Sequence, residues 1–121
     1  MKKIVLVMLF SFVSLFAFEE LNIDNFESKI KGKNVIIDFY AVWCPPCKVL
    51  NKKLQEYDIV KPENVNIYKI NIDDEPLITK KYGITRLPSL VYFKDGEAQK
   101  TIVGIQSVDE LDKNAKKIFM K

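Results

Sequence analysis

Two hydrophobic periods alternate along the chain. Val35-Ile36-Ile37-Asp38-Phe39-Tyr40 is β-branched and aromatic with almost no polar alternation, which predicts a central strand buried on both faces. From the Cys44 to Cys47 segment onward, Val49, Leu50, Leu54 and Tyr57 recur at helical spacing with Lys48, Lys52 and Lys53 between them. A helix is therefore expected from the cysteines to about Tyr57. Val65 to Ile70 reads as a second strand, and strand, helix, strand is the βαβ unit. Pro76 can open a helix over Leu77 to Tyr82, because proline lacks an N–H that the first turn would not use, and Gly83 ends it. Ser89 to Phe93 and Ala98 to Val103 flank Lys94-Asp95-Gly96-Glu97, whose Asp-Gly pair predicts a hairpin and makes the second half antiparallel. Val108 to Phe119 closes the chain as an amphipathic helix with Leu111, Ala115, Ile118 and Phe119 inward. Near the start, Asp24 is the expected cap of a short helix, with Glu27 three residues on, Phe26 and Ile30 as its apolar stripe and Gly32 as its end. The class is α/β in a single domain, without repeats, linkers or low-complexity stretches.

Ahead of this pattern stands Met1-Lys2-Lys3, an apolar run from Ile4 to Phe16, and Ala17-Phe18-Glu19-Glu20. A basic start, an apolar middle and a small residue at a cleavable position make a signal peptide, expected over residues 1–17, with the domain at 18–121. The competing membrane anchor would need about 20 apolar residues to span a bilayer, more than Ile4 to Phe18 supply. An exported, periplasmic chain that is soluble after cleavage is expected. The imperfect point is Leu15, where a small residue two positions before Ala17 is usual.

Of 121 residues, 19 are basic and 16 acidic. Removing Lys2 and Lys3 leaves 19 less two, or 17, basic against 16 acidic, so the mature chain is nearly neutral. That balance gives no case for nucleic-acid binding, which calls for a concentrated basic face. The lysines at 52–53 and 113–117 are read as solvated helix faces.

The candidate chemistry lies in Trp43-Cys44-Pro45-Pro46-Cys47. Cysteines three apart on a first helical turn share a face and can form or open a small disulfide loop. A helix beginning near Cys44 would favour a thiolate there, the species that attacks a disulfide, which makes Cys44 the nucleophile and Cys47 the resolving cysteine. Zinc would want four ligands, and the chain has two cysteines and no histidine. An inert structural disulfide is the other alternative, but so short a loop removes little entropy from the unfolded chain. No metal and no cofactor beyond the cysteine pair are expected. Asp38, in a buried strand, is conspicuous in either case.

From about Phe26 to Phe119 the chain resembles the thioredoxin family. The resemblance rests on Asp38-Phe39-Tyr40-Ala41-Val42-Trp43-Cys44 with Cys47-Lys48, on Lys69 to Asp73, on Lys81-Tyr82-Gly83-Ile84 through Leu87-Pro88-Ser89, and on Phe93 to Glu97 with Val103-Gly104. It implies a thioredoxin fold, a central mixed sheet flanked by helices, and thiol:disulfide oxidoreductase activity. It implies further that Pro88 is a cis-proline facing the cysteines and that Leu87 offers backbone groups to a substrate strand. Trp43 would shield one side of the disulfide, although a lone tryptophan is also ordinary core. Asp38 would be the buried carboxylate that moves the Cys47 proton, its alternative being a buried ion pair with Lys69.

Three departures from the family stand out. Pro45 follows the first cysteine where glycine is usual, so that position has no N–H to face the Cys44 sulfur, and the Cys47 N–H is left as the expected donor within the motif. Losing a donor favours the disulfide; the stiffer Pro45-Pro46 loop can act either way. Tyr40 stands where many members carry tryptophan, and the helix after Lys48 lacks the proline that bends it in many others. Asp38 with Lys69, the absence of histidine in the motif and of an inserted helical domain favour a reductase. Proline after the first cysteine is also seen in exported reductants of this family. The expected partners are disulfide-containing client proteins and a membrane thiol electron donor, with the chain a monomer. The alternatives are a disulfide oxidase or isomerase, and a non-catalytic peptide-binding module.

Overall fold

A computed structural model describes residues 18–120, so the leader expected over 1–17 lies outside the described residues. The apolar strand foreseen at 35–40 lies inside the sheet. β1 (Asn34–Tyr40) is flanked by β2 (Val65–Asn71) on one side and β3 (Ser89–Lys94) on the other, with β4 (Glu97–Val103) beyond β3, giving the order β2-β1-β3-β4. β1 and β2 run parallel, joined through α2 (Pro45–Val60), whereas β3 is antiparallel to both β1 and β4. The expected mixed sheet is therefore present.

Alternation along β1 divides the core in two. Ile36 packs with Leu50, Leu54 and Tyr57 of α2 and with Leu111, Ala115 and Phe119 of α4 (Val108–Phe119). Val35, Ile37 and Phe39 pack on the opposite side with Phe26 and Ile30 of α1 (Phe26–Ile30) and Ile78 of α3 (Pro76–Lys81). Side chains of successive strand residues point to opposite faces, so one strand buried on both faces serves both clusters.

Local chemistry sets the ends of these elements. Ser107 accepts from the Glu110 N–H while Glu110 accepts from the Ser107 N–H, a full capping box that starts α4 at Val108. In the β3–β4 hairpin, Asp95 (φ 52°) and Gly96 (φ 82°) both take the left-handed backbone that a two-residue turn between right-twisted strands requires.

Two expectations need correction. Asp24 does not cap α1; Asn25 occupies the cap, and Asn22 Oδ1 shapes the turn by accepting from the N–H groups of Asp24 at 2.9 Å and Asn25 at 3.0 Å. Val49 is 45 % exposed, because the buried stripe of α2 runs through Cys47, Leu50, Leu54 and Tyr57 and leaves Val49 on its flank.

One feature was not foreseen. Glu20 pairs with Lys69 in a parallel bridge, with Lys69 N–H donating to the Glu19 carbonyl at 3.0 Å and Leu21 N–H to the Lys69 carbonyl at 2.9 Å. This short segment adds a fifth, one-bridge contributor beside β2. Among the described residues no helix is long and apolar enough to cross a membrane.

Candidate active site

β1 ends at Tyr40, and α2 begins five residues later, so the cysteines occupy the step from the sheet's edge into a helix. Cys44 is the N-cap of α2, Pro45 and Pro46 fill its first two positions, and Cys47 stands third. A cap side chain accepts from the second or third N–H of its helix. Proline at the second position has none, and the Cys47 N–H donates to Cys44 Sγ at 3.2 Å, as the sequence led us to expect. The two cysteines are joined as a disulfide, with their Cα atoms 5.3 Å apart. Without a proline beyond Pro46, α2 continues unbroken for 16 residues.

The two cysteines line different hollows. Cys44 lines an outer groove of about 400 Å³ with Trp43, Pro46, Ile72, Ile84 and Leu87. Cys47 lines an inner cavity of about 330 Å³ with Asp38, Tyr40, Lys48, Lys52 and Lys69. Ala41 and the two cysteines form a small buried cluster between them, against which Tyr40, Ile72 and Leu87 pack.

Trp43 is not core: it is 63 % exposed, and its Nε1–H donates to Asp73 Oδ2 at 2.8 Å. Asp73, just past the end of β2, was absent from the sequence reading of the site. A lone tryptophan beside the cysteines invites a search for an acceptor, but nothing local to Asp73 marks it. The Leu87–Pro88 peptide bond is cis. Leu87 forms part of the groove wall, whereas Pro88 is buried and its carbonyl accepts from the Gly104 N–H at 2.9 Å.

Asp38 is 1 % exposed, and its Oδ1 meets no hydrogen-bond donor of the protein. Burial pushes its carboxyl up to about 7, and the positive charge of Lys69 pulls part of the way back. The direct ion pair with Lys69, the alternative considered for Asp38, does not form. Lys69 is the registered partner of Asp38 on β2, but its ammonium lies 5.1 Å from the Tyr40 ring centroid, and no ion pair among the described residues joins the two. Lys69 thus acts on Asp38 as a nearby charge. Nor do the described residues contain a group of histidine, cysteine and carboxylate side chains able to hold a metal.

A disulfide across the start of a helix, a buried carboxylate beneath it and a cis-proline in the facing loop form one arrangement, and the thioredoxin family profile matches this chain over residues 17–117. The chain belongs to the thioredoxin family. It is 41% identical over 88 residues to a thioredoxin of Chlamydia caviae, covering 73% of this chain and 85% of that one. Against a thioredoxin of Alicyclobacillus acidocaldarius the identity is 36% over 89 residues, with the same two shares. Among solved structures, oxidized mitochondrial thioredoxin 3 of Saccharomyces cerevisiae superposes with a TM-score of 0.76 at 33% identity, covering 84% of this chain and 95% of the other. The protein is a thioredoxin-type thiol:disulfide oxidoreductase whose redox group is its own cysteine pair.

Proposed function

We propose that this thioredoxin works in the cell envelope as a monomeric reductase of protein disulfides, with Cys44 as nucleophile, Cys47 as resolving cysteine and Asp38 as the proton acceptor. The observation that carries this reading is the division of the cysteines: Cys44 lines a groove with Trp43, Ile72 and Leu87, and Cys47 lines the cavity that holds Asp38.

In the reduced protein, the Cys44 thiolate, favoured by the Cys47 N–H and the start of α2, attacks one sulfur of a client disulfide. A mixed disulfide forms and the client's other sulfur leaves as a thiolate that takes up a proton. Trp43 and Leu87 flank the client at this stage. Ionised Asp38 then accepts the Cys47 proton, and the Cys47 thiolate attacks Cys44 Sγ. The client's second thiolate leaves, the Cys44–Cys47 disulfide closes, and two electrons have passed to the client. A carboxyl pushed up to about 7 suits the task, because an acid-base group transfers protons best when its affinity lies near the working pH.

Support for an envelope location is the Met1 to Ala17 leader pattern, and support for reduction is Asp38 with Lys69 and a motif without histidine. A membrane thiol donor is proposed to return electrons to the pair after each turnover.

Expressing the full chain as Cys47→Ala and recovering covalent adducts tests both parts. Adducts are expected with envelope proteins, released by dithiothreitol and lost in Cys44→Ser, on a chain shortened near residue 17. Full turnover by Cys44→Ser, or an uncleaved chain confined to the cytosol, would refute the proposal.

A further inference from the structure

Glu20, Lys69 and Asp38 stand in one row across β1, β2 and the single bridge beside β2. Glu20 bridges Lys69 on one side, and Asp38 is the registered partner of Lys69 on the other. Residues in register share a face of the sheet, and Tyr40, two residues along β1 from Asp38, shares it as well. On that face the Lys69 ammonium lies over the Tyr40 ring, and the Tyr40 hydroxyl donates to Glu20 Oε2 at 2.5 Å. Glu20 therefore spends its carboxylate on a neutral phenol although its strand partner is a lysine, and no ion pair joins it to Lys69 among the described residues. Burial first, then the hydrogen bond and charge of Glu20, raise the proton affinity of Tyr40, so it stays a donor through neutral pH.

We infer that Tyr40 is a positioning residue whose hydroxyl holds Glu20 away from Lys69, leaving the ammonium to act on Asp38. The inference rests on the reading of Asp38 as proton acceptor for Cys47. Around Asp38, β2 contributes Lys69, its own strand contributes Tyr40, and α2 contributes Cys47, Lys48 and Lys52 across the cavity; β3 opposes it with apolar Leu90. Lys48 donates to the Val42 carbonyl at 2.9 Å, and Lys69 is the cation whose charge reaches the Asp38 carboxyl. Without the phenol hydroxyl, Glu20 loses its donor. A carboxylate and an ammonium side by side on the sheet edge attract each other. Lys69 would then turn toward Glu20, and Asp38 would lose the charge that opposes its protonation.

The test is a side-chain carboxyl NMR titration of Asp38 in the full oxidised chain, as wild type, Tyr40→Phe, Glu20→Gln and the double variant. Tyr40→Phe is expected to move the Asp38 midpoint to higher pH, Glu20→Gln alone to leave it or lower it, and the double variant to return it to the wild-type value or below. An unmoved midpoint in Tyr40→Phe, a rise in Glu20→Gln, or a double variant that keeps the Tyr40→Phe shift would overturn the inference, the last showing that packing of the ring alone is responsible. Because the titration needs no turnover, it can succeed while Asp38→Asn leaves turnover intact; that result would sink the catalytic reading of Asp38 and spare the role of Tyr40.

Discussion

The backbone N–H of Cys47 donates to Cys44 Sγ at 3.2 Å, while Pro45 and Pro46, the two residues between them, have no N–H to offer. The cap of α2 is thus served by one donor where the helix position of residue 46 would ordinarily allow two. Pro46→Ala restores the second. A hydrogen bond to a charged group contributes about 1.5–3 kcal/mol, so the Cys44 thiolate is expected to be favoured and its pKa lowered. Alkylation rate against pH in the reduced protein reads this directly; an unchanged profile would show that the second N–H does not reach the sulfur.

Asp38 ties stability to pH. Its carboxyl binds a proton up to about 7 in the folded chain, against 3.8 as the ordinary value. Between those limits the folded chain holds a proton the unfolded chain has released, so stability falls as pH rises through the window, and the full cost is felt above it. Asp38→Asn removes that dependence. Relative to wild type it is expected to gain on the order of a few kcal/mol between pH 4 and pH 8, read as the change in their difference by urea unfolding at the two values. In client reduction the same variant should be slower by on the order of a hundredfold, the usual scale for losing a positioned proton acceptor. A difference in stability that is flat with pH would mean that folding does not raise the Asp38 carboxyl above its ordinary range.

Much of the architecture was legible because hydrophobic period and turn chemistry agreed. Val108 to Phe119 was placed at its true bounds from its apolar stripe alone, and the Ser107 and Glu110 capping box found in the structure starts the helix at the same residue. β1, the βαβ unit and the Asp95-Gly96 hairpin followed from equally local signals. What escaped depends on long-range partners. The bridge from Glu20 to Lys69 spans two segments far apart in sequence, and no periodicity in Glu19-Glu20-Leu21 distinguishes an edge pairing from a loop. Asp73 became a partner of Trp43 only through the fold. The opposition of Asp38 and Lys69 was foreseen, but the Lys69 ammonium lies over the Tyr40 ring, and the two interact without an ion pair. Residues competing for one cap also defeat pattern reading: Asn22, Asp24 and Asn25 are all plausible, and the side chains that shape the turn are those of Asn22 and Asn25.

Trp43 offers a large apolar face beside the sulfurs while its indole N–H is fixed by Asp73 at 2.8 Å. Trp43→Phe keeps an aromatic surface and loses the hydrogen bond, for which about 1–2 kcal/mol is expected in kcat/KM with protein clients, carried mainly by KM. Small disulfides that do not reach the groove should be reduced at nearly the wild-type rate. Equal losses with both substrates would place Trp43 in the chemical step.

Reduction of client disulfides requires a cysteine pair that gives up electrons readily. The reduction potential of the Cys44–Cys47 pair, measured on residues 18–121 by equilibration with dithiothreitol or glutathione buffers, tests this most directly. A reductase is expected to give a value near the approximately −270 mV typical of thioredoxin. A value near the approximately −120 mV typical of DsbA would contradict it, because such a pair draws electrons from clients and forms their disulfides instead of opening them.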